Sequence, residues 1–212
     1  LYCLNPEDGA LRWKYESDST INGCPALTTS GSALFGGCDR TLHVLNLESG
    51  KVRIKVDVGS YVAGSVSVDG EQAFLGHYGG SILAVDIPAG KVAWTCTPKN
   101  NRAPFFATPA VGEKYLYVGA RSRQFYCLDR NTGSVVWTHR TRGEINGSAV
   151  LSAQRVVFGD SDGQLYVLDR QSGERVGNVL LGAAVAGAPA VVDGAVLIGA
   201  DDGRLYALAK KP

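Results

Sequence analysis

The sequence predicts an all-β fold, a β-propeller of four-stranded antiparallel blades, and three observations indicate it. A phrase of Asp or Asn, three variable residues and Gly returns every 40 to 43 residues along the 212-residue chain. A short β-rich run precedes each phrase and an alternating run follows it. Glycine and turn pairs interrupt the apolar runs before a helical period can develop. A repeat of this length with four strands is typical of a propeller blade.

Each repeat contains two hairpins. The phrase is a turn, because an Asp or Asn side chain can bond backbone amides two residues on and Gly adopts a positive φ cheaply. Strands before the phrases lie at 1–4, 42–45, 82–85, 125–128 and 165–168, with a sixth copy at 205–208. Two more strands stand upstream in each unit, as at 188–192 and 195–199 around the Asp193-Gly194 turn.

We assign the whole chain, 1–212, to a single propeller domain. The repeats cover about 1–41, 42–81, 82–124, 125–164 and 165–204, with a partial repeat at 205–212. A solenoid is the alternative, but its units stack through only one or two strands and rarely need three reverse turns each.

The chain begins and ends on the third strand of a blade. Residues 10–16 could join the sheet of 205–208 and close a five-bladed ring, but the strand at 1–4 would then have no vacant place. The sequence also contains no Met. We therefore expect about five repeat equivalents from a parent propeller of seven or eight blades.

Composition excludes several partners. With 21 basic and 20 acidic residues the formal charge is +1, so no global field recruits nucleic acid or an anionic membrane. The longest apolar stretch, 179–192, is interrupted by Gly182, Gly187 and Pro189 and is too short to span a bilayer. We expect no nucleic acid partner and no membrane span in this chain.

Five cysteines leave at least one thiol without a partner in the chain. Cys3 and Cys127 occupy a repeat position that holds Val or Ala in the other copies, which indicates small core residues. Cys24 and Cys38 flank the Ser30-Gly31 turn and could approach across a hairpin, although their register is offset by one. A Cys24–Cys38 disulfide and the cellular compartment are both left open by the residues.

Residues 165–173 and 125–137 nearly match the pattern Leu-Tyr-x-Leu-Asp-x-x-Thr-Gly-x-x-x-Trp, and the inner-strand pattern Gly-Ser/Ala-Pro-Ala-Val is found at 187–191 and 107–111. Over its entire length the chain resembles the pyrroloquinoline-quinone (PQQ)-like propeller repeat. The resemblance implies either a quinoprotein dehydrogenase or a binding scaffold similar to the outer-membrane assembly lipoprotein. It also favours a periplasmic or extracytoplasmic location.

In that family the tryptophans dock neighbouring blades, and three tryptophans here match those positions, whereas Ile54 and Gly177 depart from them. The structural repeat residues are Gly9, Trp13, Gly50, Gly90, Trp94, Gly133, Trp137 and Gly173. The two departures favour a degenerate, non-enzymatic member.

The dehydrogenases that resemble this fold bind PQQ with calcium, commonly beside two adjacent cysteines, and some attach haem through Cys-x-x-Cys-His. This sequence has neither motif. We therefore predict no cofactor, and PQQ with calcium enters only under the alternative that the chain is part of a PQQ-dependent quinoprotein dehydrogenase.

Two motifs suggest chemistry. Residues 159–163 match the Gly-x-Ser-x-Gly nucleophile elbow, but they lie in a strand-to-strand turn, and equivalent turns carry Tyr78 and Asp201 in place of the serine. Asp160 and Asp162, with the acids of the next turn, offer oxygens to calcium but lack the full loop that supplies six to eight ligands. We predict solvated turn aspartates, no catalytic residue and no metal site.

Cationic side chains gather on the turns after the second strands and on the longest linker, 97–104. These turns and linkers share one rim, and binding residues concentrate on loops over rigid scaffolds. The predicted binding surface comprises Arg40, His77, Lys99, Arg102, Phe105, Arg121 and Arg123. The alternative is a solvated loop followed by two core phenylalanines, Phe105 and Phe106.

The function that we predict is a non-catalytic scaffold that binds a protein or peptide through loops on one face or through a free blade edge. Two alternatives stay open: a fragment of a PQQ-dependent quinoprotein dehydrogenase, and an accessory propeller domain of a larger enzyme.

Overall fold

The computed structural model describes residues 1–99 and 103–209, and in that part of the chain all regular structure is β. The strands are β1 (Tyr2–Leu4), β2 (Leu11–Lys14), β3 (Ala26–Leu27), β4 (Ser32–Gly36), β5 (Thr41–Asn46), β6 (Val52–Asp57), β7 (Ser67–Asp69), β8 (Gln72–Gly76), β9 (Ile82–Asp86), β10 (Lys91–Cys96), β11 (Ala110–Val111), β12 (Tyr115–Ala120), β13 (Gln124–Asp129), β14 (Val135–Arg140), β15 (Val150–Leu151), β16 (Arg155–Gly159), β17 (Gln164–Asp169), β18 (Arg175–Leu180), β19 (Ala190–Val192), β20 (Ala195–Gly199) and β21 (Leu205–Leu208). These residues include no helix with the length and apolar character that a membrane crossing requires.

The strands form six antiparallel sheets in chain order. Four are complete four-stranded blades, which we call blade A (β3–β6), blade B (β7–β10), blade C (β11–β14) and blade D (β15–β18). The hairpin of β1 and β2 precedes them, and a three-stranded blade E (β19–β21) follows. This architecture confirms the predicted all-β propeller of about five repeats.

The five-bladed ring closed by strand exchange is not formed. In the described residues β2 pairs with β1, and β21 pairs with β20 rather than with residues 10–16. The outer side of blade E is correspondingly open, and Leu205 is 75% exposed.

A bulge in the fourth strand follows the repeated turn in every complete blade. The register between the third and fourth strands shifts at Val44/Leu45, at Val92/Trp94, at Cys127/Leu128 and at Val167/Leu168. A bulge bends the strand and re-aims the side chain that follows it. The residue after the bulge, Trp94 or Trp137 in blades B and C, therefore turns toward the next blade.

The turns follow the predicted chemistry. Asn46 Oδ1 accepts hydrogen bonds from the backbone N–H groups of Glu48 and Ser49, and Asp129 Oδ1 accepts the equivalent bonds. These bonds lower the pKa of Asp129. The terminal glycines of the turns have positive φ, for example 69° at Gly50.

The core is divided among the seams between blades. Leu34 of blade A packs with Leu75 of blade B, and Phe125 of blade C stacks on Phe158 of blade D with ring centroids 3.9 Å apart. Each blade is thus stabilised chiefly by its neighbours, as in other repeat proteins.

The cysteines take no part in cross-linking. All five are free thiols, so the Cys24–Cys38 disulfide is not formed. Cys38 Sγ accepts a hydrogen bond from Asn22, and Cys24 is exposed. Cys127 lies in the core, where burial raises its pKa to about 12.

Candidate functional site

The ends of the strands define two faces. The turns between second and third strands and the linkers between blades lie at one end, which we call the linker face. The turns that close the first and second hairpins of each blade lie at the other end, the hairpin face. The linker face comprises the turns 37–40, 77–81, 121–123, 160–163 and 200–204 and the linkers 15–25, 58–66, 97–99, 103–109, 141–149 and 181–189.

Backbone hydrogen bonds fasten each linker to the turns on both sides. In the linker between blades A and B, Val62 N donates to Gly37 O and Tyr61 O accepts from Tyr78 N, at 3.2 and 2.8 Å. Equivalent pairs recur at the following seams, as in Arg121 N to Pro104 O, at 3.2 Å. These hydrogen bonds hold the backbone of the linker face in place, so the side chains on it start from fixed backbone positions.

Each linker also buries one apolar side chain against the glycine that ends a second strand. Val62 covers Gly36, Ile145 covers Gly119 and Val185 covers Gly159, so closely that an added Cβ would overlap the apolar side chain. Phe105 does the same at Gly76 and is 0% exposed. The assignment of Phe105 to a binding surface is therefore wrong, since its ring plugs the seam between blades B and C.

The sequence contained a signal for this plug. An apolar residue recurs two positions before the Gly or Ala that opens each inner-strand pattern, and Phe105 is its copy in the longest linker. Phe105 follows the longest linker, 97–104, but its repeat position, not the length of the linker, determines its burial.

His77 is also not on the surface. It is 7% exposed, its Nδ1 has no hydrogen-bond partner, and burial lowers its pKa, so the imidazole is neutral near pH 7. Of the other residues predicted for the binding surface, Arg40, Lys99 and Arg123 are exposed and Arg121 is half-exposed. Arg102 lies outside the described residues.

Arg40 and Arg123 share an unusual backbone conformation. Their φ angles are 64° and 62°, at a turn position where blades B, D and E have glycine. A left-handed conformation costs an ordinary L-residue roughly 1–2 kcal/mol. Backbone strain of this kind clusters at sites where the side chain has a role, which draws attention to the two guanidinium groups.

The structure brings together an aromatic strip that sequence reasoning missed, consisting of Tyr61, Tyr78, Phe106, Arg121 and Glu144. Tyr61 and Tyr78 are 54% and 50% exposed. The Tyr78 and Phe106 ring centroids are 5.4 Å apart, and the Arg121 guanidinium carbon lies 5.0 Å from the Phe106 centroid. Arg121 Nε donates to Glu144 Oε2 at 2.6 Å.

The strip crosses three blades on the linker face. Its signal in the sequence was the pair of tyrosines at loop positions where the other repeats carry no aromatic residue: Tyr78 aligns with Cys38, Arg121, Ser161 and Asp201. An exposed row of aromatic rings with a stacked arginine can supply apolar contact, cation–π attraction and hydrogen bonds to a partner.

Of the acidic residues in these turns, Asp160 has a structural role, whereas Asp162, Asp201 and Asp202 are exposed. Asp160 is fully buried, which contradicts the expectation of a solvated aspartate. Its Oδ2 accepts from Gly143 N and Tyr166 Oη at 2.9 and 3.0 Å, and its Oδ1 accepts from Gln164 N at 2.9 Å. The carboxylate thus ties the linker to blade D.

Ser161, the serine of the elbow-like motif, accepts a hydrogen bond from Glu144 N at 2.9 Å and helps to hold the same linker. Across residues 1–99 and 103–209, no three His, Cys, Asp or Glu residues are grouped to hold a metal ion.

Comparisons with known proteins agree with this architecture. The family model described as outer membrane protein assembly factor BamB matches residues 1–106 and 99–211. No sequence among the curated proteins matches the chain.

Three solved structures illustrate the similarity. BamB from Moraxella catarrhalis aligns with a TM-score of 0.80 and 21% identity, covering 94% of this chain and 64% of that chain. The quinohemoprotein alcohol dehydrogenase ADHIIG from Pseudomonas putida HK5 aligns with a TM-score of 0.76 and 14% identity, over 92% of this chain and 41% of that one. The computationally designed Ika8 protein aligns with a TM-score of 0.64 and 18% identity, over 95% and 75%.

At these identities the structural matches show a shared fold alone, and the chain spans 64% of the length of the Moraxella BamB. The family model, in contrast, covers both halves of the chain with the repeat pattern described above. The chain therefore belongs to the family of the outer membrane protein assembly factor BamB.

Proposed function

We propose that this chain is a non-catalytic propeller scaffold that binds a protein partner through its linker face. The observation that carries the proposal is the aromatic strip of Tyr61, Tyr78, Phe106, Arg121 and Glu144. Tyrosine and arginine are the residue types enriched at the energetic centres of protein interfaces. The strip lies on linkers braced by backbone hydrogen bonds, so little conformational entropy is lost when a partner binds.

Family membership supports a more specific context. The family is described as an outer membrane protein assembly factor, so the partner that we propose is a protein of outer-membrane assembly. By the same reasoning the proposed location is the periplasm, in association with the outer membrane. The exposed Arg40 and Arg123 would favour a partner surface with acidic groups.

The quinoprotein alternative receives no specific support from the residues present. A calcium-held quinone needs a cluster of oxygen ligands, and the carboxylate of Asp160 is already saturated by protein N–H and O–H groups. Asp160 is therefore not free to hold calcium, and the function proposed here uses no cofactor. The accessory-domain alternative likewise has no observation in its favour.

Complementation in the organism of origin tests the proposal. The full-length gene would be deleted and replaced by a double variant of the strip, Tyr78→Ala with Arg121→Gln. The control is Val176→Ala with Arg175→Gln, which removes one exposed apolar side chain and one exposed guanidinium from β18, away from the linker face. Thermal unfolding would verify that both variants fold.

We expect the strip variant to lower the steady-state level of folded outer-membrane proteins and the control to match the wild type. A photo-crosslinking amino acid at position 78 should capture an outer-membrane assembly protein, whereas one at position 176 should not. A folded strip variant that fully restores the outer-membrane proteins would overturn the proposal.

A further inference from the structure

A polar cleft of about 520 Å³ opens on the hairpin face between blades C and D. Tyr115, Tyr117 and Gln154 line it, and Arg170 extends into it from the turn after β17. This cleft lies at the opposite end of the blades from the aromatic strip and is independent of the function proposed above.

The Arg170 side chain is held firmly. Its Nη1 donates to Ser152 O at 2.9 Å and to Ala153 O at 3.2 Å, and its guanidinium carbon lies 5.5 Å from the centroid of the Tyr117 ring. Its backbone carbonyl accepts hydrogen bonds from Trp137 Nε1 and Tyr117 Oη at 3.2 and 3.1 Å. The guanidinium group is therefore preorganised.

At the seam between blades B and C, the equivalent arginine is paired with a carboxylate. Arg130 occupies the same repeat position 40 residues earlier. Its guanidinium lies over Phe74 with its carbon 5.4 Å from the ring centroid, Nη1 pairs with the carboxylate of Asp69, and Nε donates to Gln72 Oε1 at 3.4 Å. The two seams share an arginine guanidinium that lies over an aromatic ring of the second strand of the preceding blade.

At the next seam the carboxylate is missing, because the residue equivalent to Asp69 is Gly112. A Cβ added to Gly112 would lie 2.7 Å from Arg170 Nη2. The Arg170 guanidinium therefore lies beside the position that an aspartate occupies at the preceding seam. No carboxylate of the described residues lies within ion-pair distance of the Arg170 guanidinium, although Arg130 has one.

The acidic residues of the cleft do not fill this role. Asp169 is engaged by Arg155 Nη1 at 2.6 Å and by the backbone N–H groups of Gln171 and Ser172. Those bonds, together with Arg155, lower the pKa of Asp169 and keep it ionised. Glu113 lies exposed at the mouth of the cleft beside the exposed Lys114.

We propose that the cleft between blades C and D binds a carboxylate of an acidic peptide segment, which takes the place beside Arg170 that Asp69 occupies beside Arg130. A guanidinium group binds a carboxylate through two parallel hydrogen bonds in a fixed geometry. The volume is in the range of sites that hold ligands much larger than one carboxylate, which favours a peptide over a small free acid.

Fluorescence anisotropy of the full chain tests the proposal. The probe is a fluorescein-labelled hexaglutamate peptide at low ionic strength, with a hexaglutamine peptide as the neutral control and glutarate as a small dicarboxylate competitor. We expect hexaglutamate to bind the wild type at least tenfold more tightly than hexaglutamine does. Glutarate should compete only at concentrations at least tenfold higher than unlabelled hexaglutamate.

Three variants locate the binding. Arg170→Gln should weaken hexaglutamate binding at least tenfold. Gly112→Asp places a carboxylate next to Arg170 and should block the site to a similar degree. Asp69→Ala frees Arg130 and should create a second site of comparable affinity, a gain that a partly unfolded variant cannot imitate.

Equal binding by wild type and Arg170→Gln would overturn the site, and so would unchanged stoichiometry in Asp69→Ala. Equal affinity for hexaglutamate and hexaglutamine would overturn the carboxylate as the recognised group. Glutarate that competes as well as unlabelled hexaglutamate would overturn the peptide as ligand and assign the cleft to small acids. None of these results bears on the aromatic strip, so the two proposals fail separately.

Discussion

The indole ring of Trp94 lies directly on the backbone of Gly133 in the neighbouring blade. A Cβ added to Gly133 would be 2.5 Å from the ring, and Trp94 Nε1 donates to the carbonyl of Arg130 in the same turn at 3.0 Å. Trp13 with Gly50 and Trp137 with Gly173 repeat the arrangement. The repeated glycine therefore serves two purposes, since it permits the left-handed end of the turn and it leaves room for the tryptophan of the previous blade.

Gly133→Ala should be strongly destabilising. It strains a residue with φ of 72° and forces a methyl group into the Trp94 ring, so we expect a loss of about 3 kcal/mol in the free energy of unfolding. Gly9→Ala is the matched control, because Gly9 has φ of 71° and open space around it, and should cost only about 1 kcal/mol. Equal losses in urea unfolding would show that the ring contact does not matter.

Trp137→Ala should loosen the seam between blades C and D. The indole contacts Gly173 and Phe125 and hydrogen bonds to Arg170 O, so we expect a loss of about 3–5 kcal/mol by denaturant unfolding. Trp137→Phe keeps most of the ring contact but leaves a carbonyl with one donor fewer, at a cost of about 1–2 kcal/mol. A loss below about 1 kcal/mol for the alanine variant would contradict the docking role.

Arg123→Gly should be neutral or slightly stabilising, by up to about 1 kcal/mol, because glycine relieves the strain at φ of 62°. Arg175→Gly, in the exposed strand β18, removes the same side chain from an ordinary strand conformation and should cost about 1 kcal/mol. The measurement is the free energy of unfolding of both variants in guanidinium chloride. Identical losses would show that the strain at Arg123 is negligible.

Stability should fall as the pH drops below about 6.5. Burial lowers the pKa of His43, which accepts from Tyr15 Oη at Nδ1 and donates from Nε2 to Asp39. The unfolded chain binds the proton first, so the stability from neutral His43 is complete above the unfolded pKa and is lost as the pH falls toward the folded one. His77 and His139 act in the same direction.

His43→Tyr tests the contribution of this one residue, because tyrosine occupies the same repeat position at 126, 166 and 206. The measurement is the free energy of unfolding at pH 5.5 and 7.5 for both proteins. We expect the variant to lose less stability than the wild type between these two values. An unchanged pH dependence would place the titration on other groups.

The fold was predictable because its determinants are local and repeated. Asn46 and Gly50 specify a turn through their own side chain and backbone, and the same phrase recurs in each unit. Which side chains are buried at the seams was harder to predict from the sequence. Phe105 and Asp160 both stand in polar, loop-like surroundings in the sequence, yet contacts with the next blade bury them.

The candidate sites depend on contacts between separate repeats, which explains why they were missed. Tyr61 and Tyr78 meet because a linker lies across a turn from the next blade. Arg170 lacks a carboxylate partner because Gly112, 58 positions away in the chain, lies beside it. That absence is recognisable only by comparison with the seam that contains Arg130 and Asp69. Alignment of the repeats with one another, position by position, would have shown the missing acid.

The identical construction of successive seams has an evolutionary consequence. Because Trp94 meets Gly133 as Trp137 meets Gly173, deletion of one whole repeat would leave Trp94 facing Gly173, and duplication would create another matching pair. Unequal recombination between copies can therefore change the number of blades in whole units without any compensating substitution at the junction. The difference between the Arg130 and Arg170 seams, in contrast, is carried by a single residue, Asp69 in one and Gly112 in the other. Surface side chains of a blade can therefore change while its docking to the neighbouring blades is unaffected.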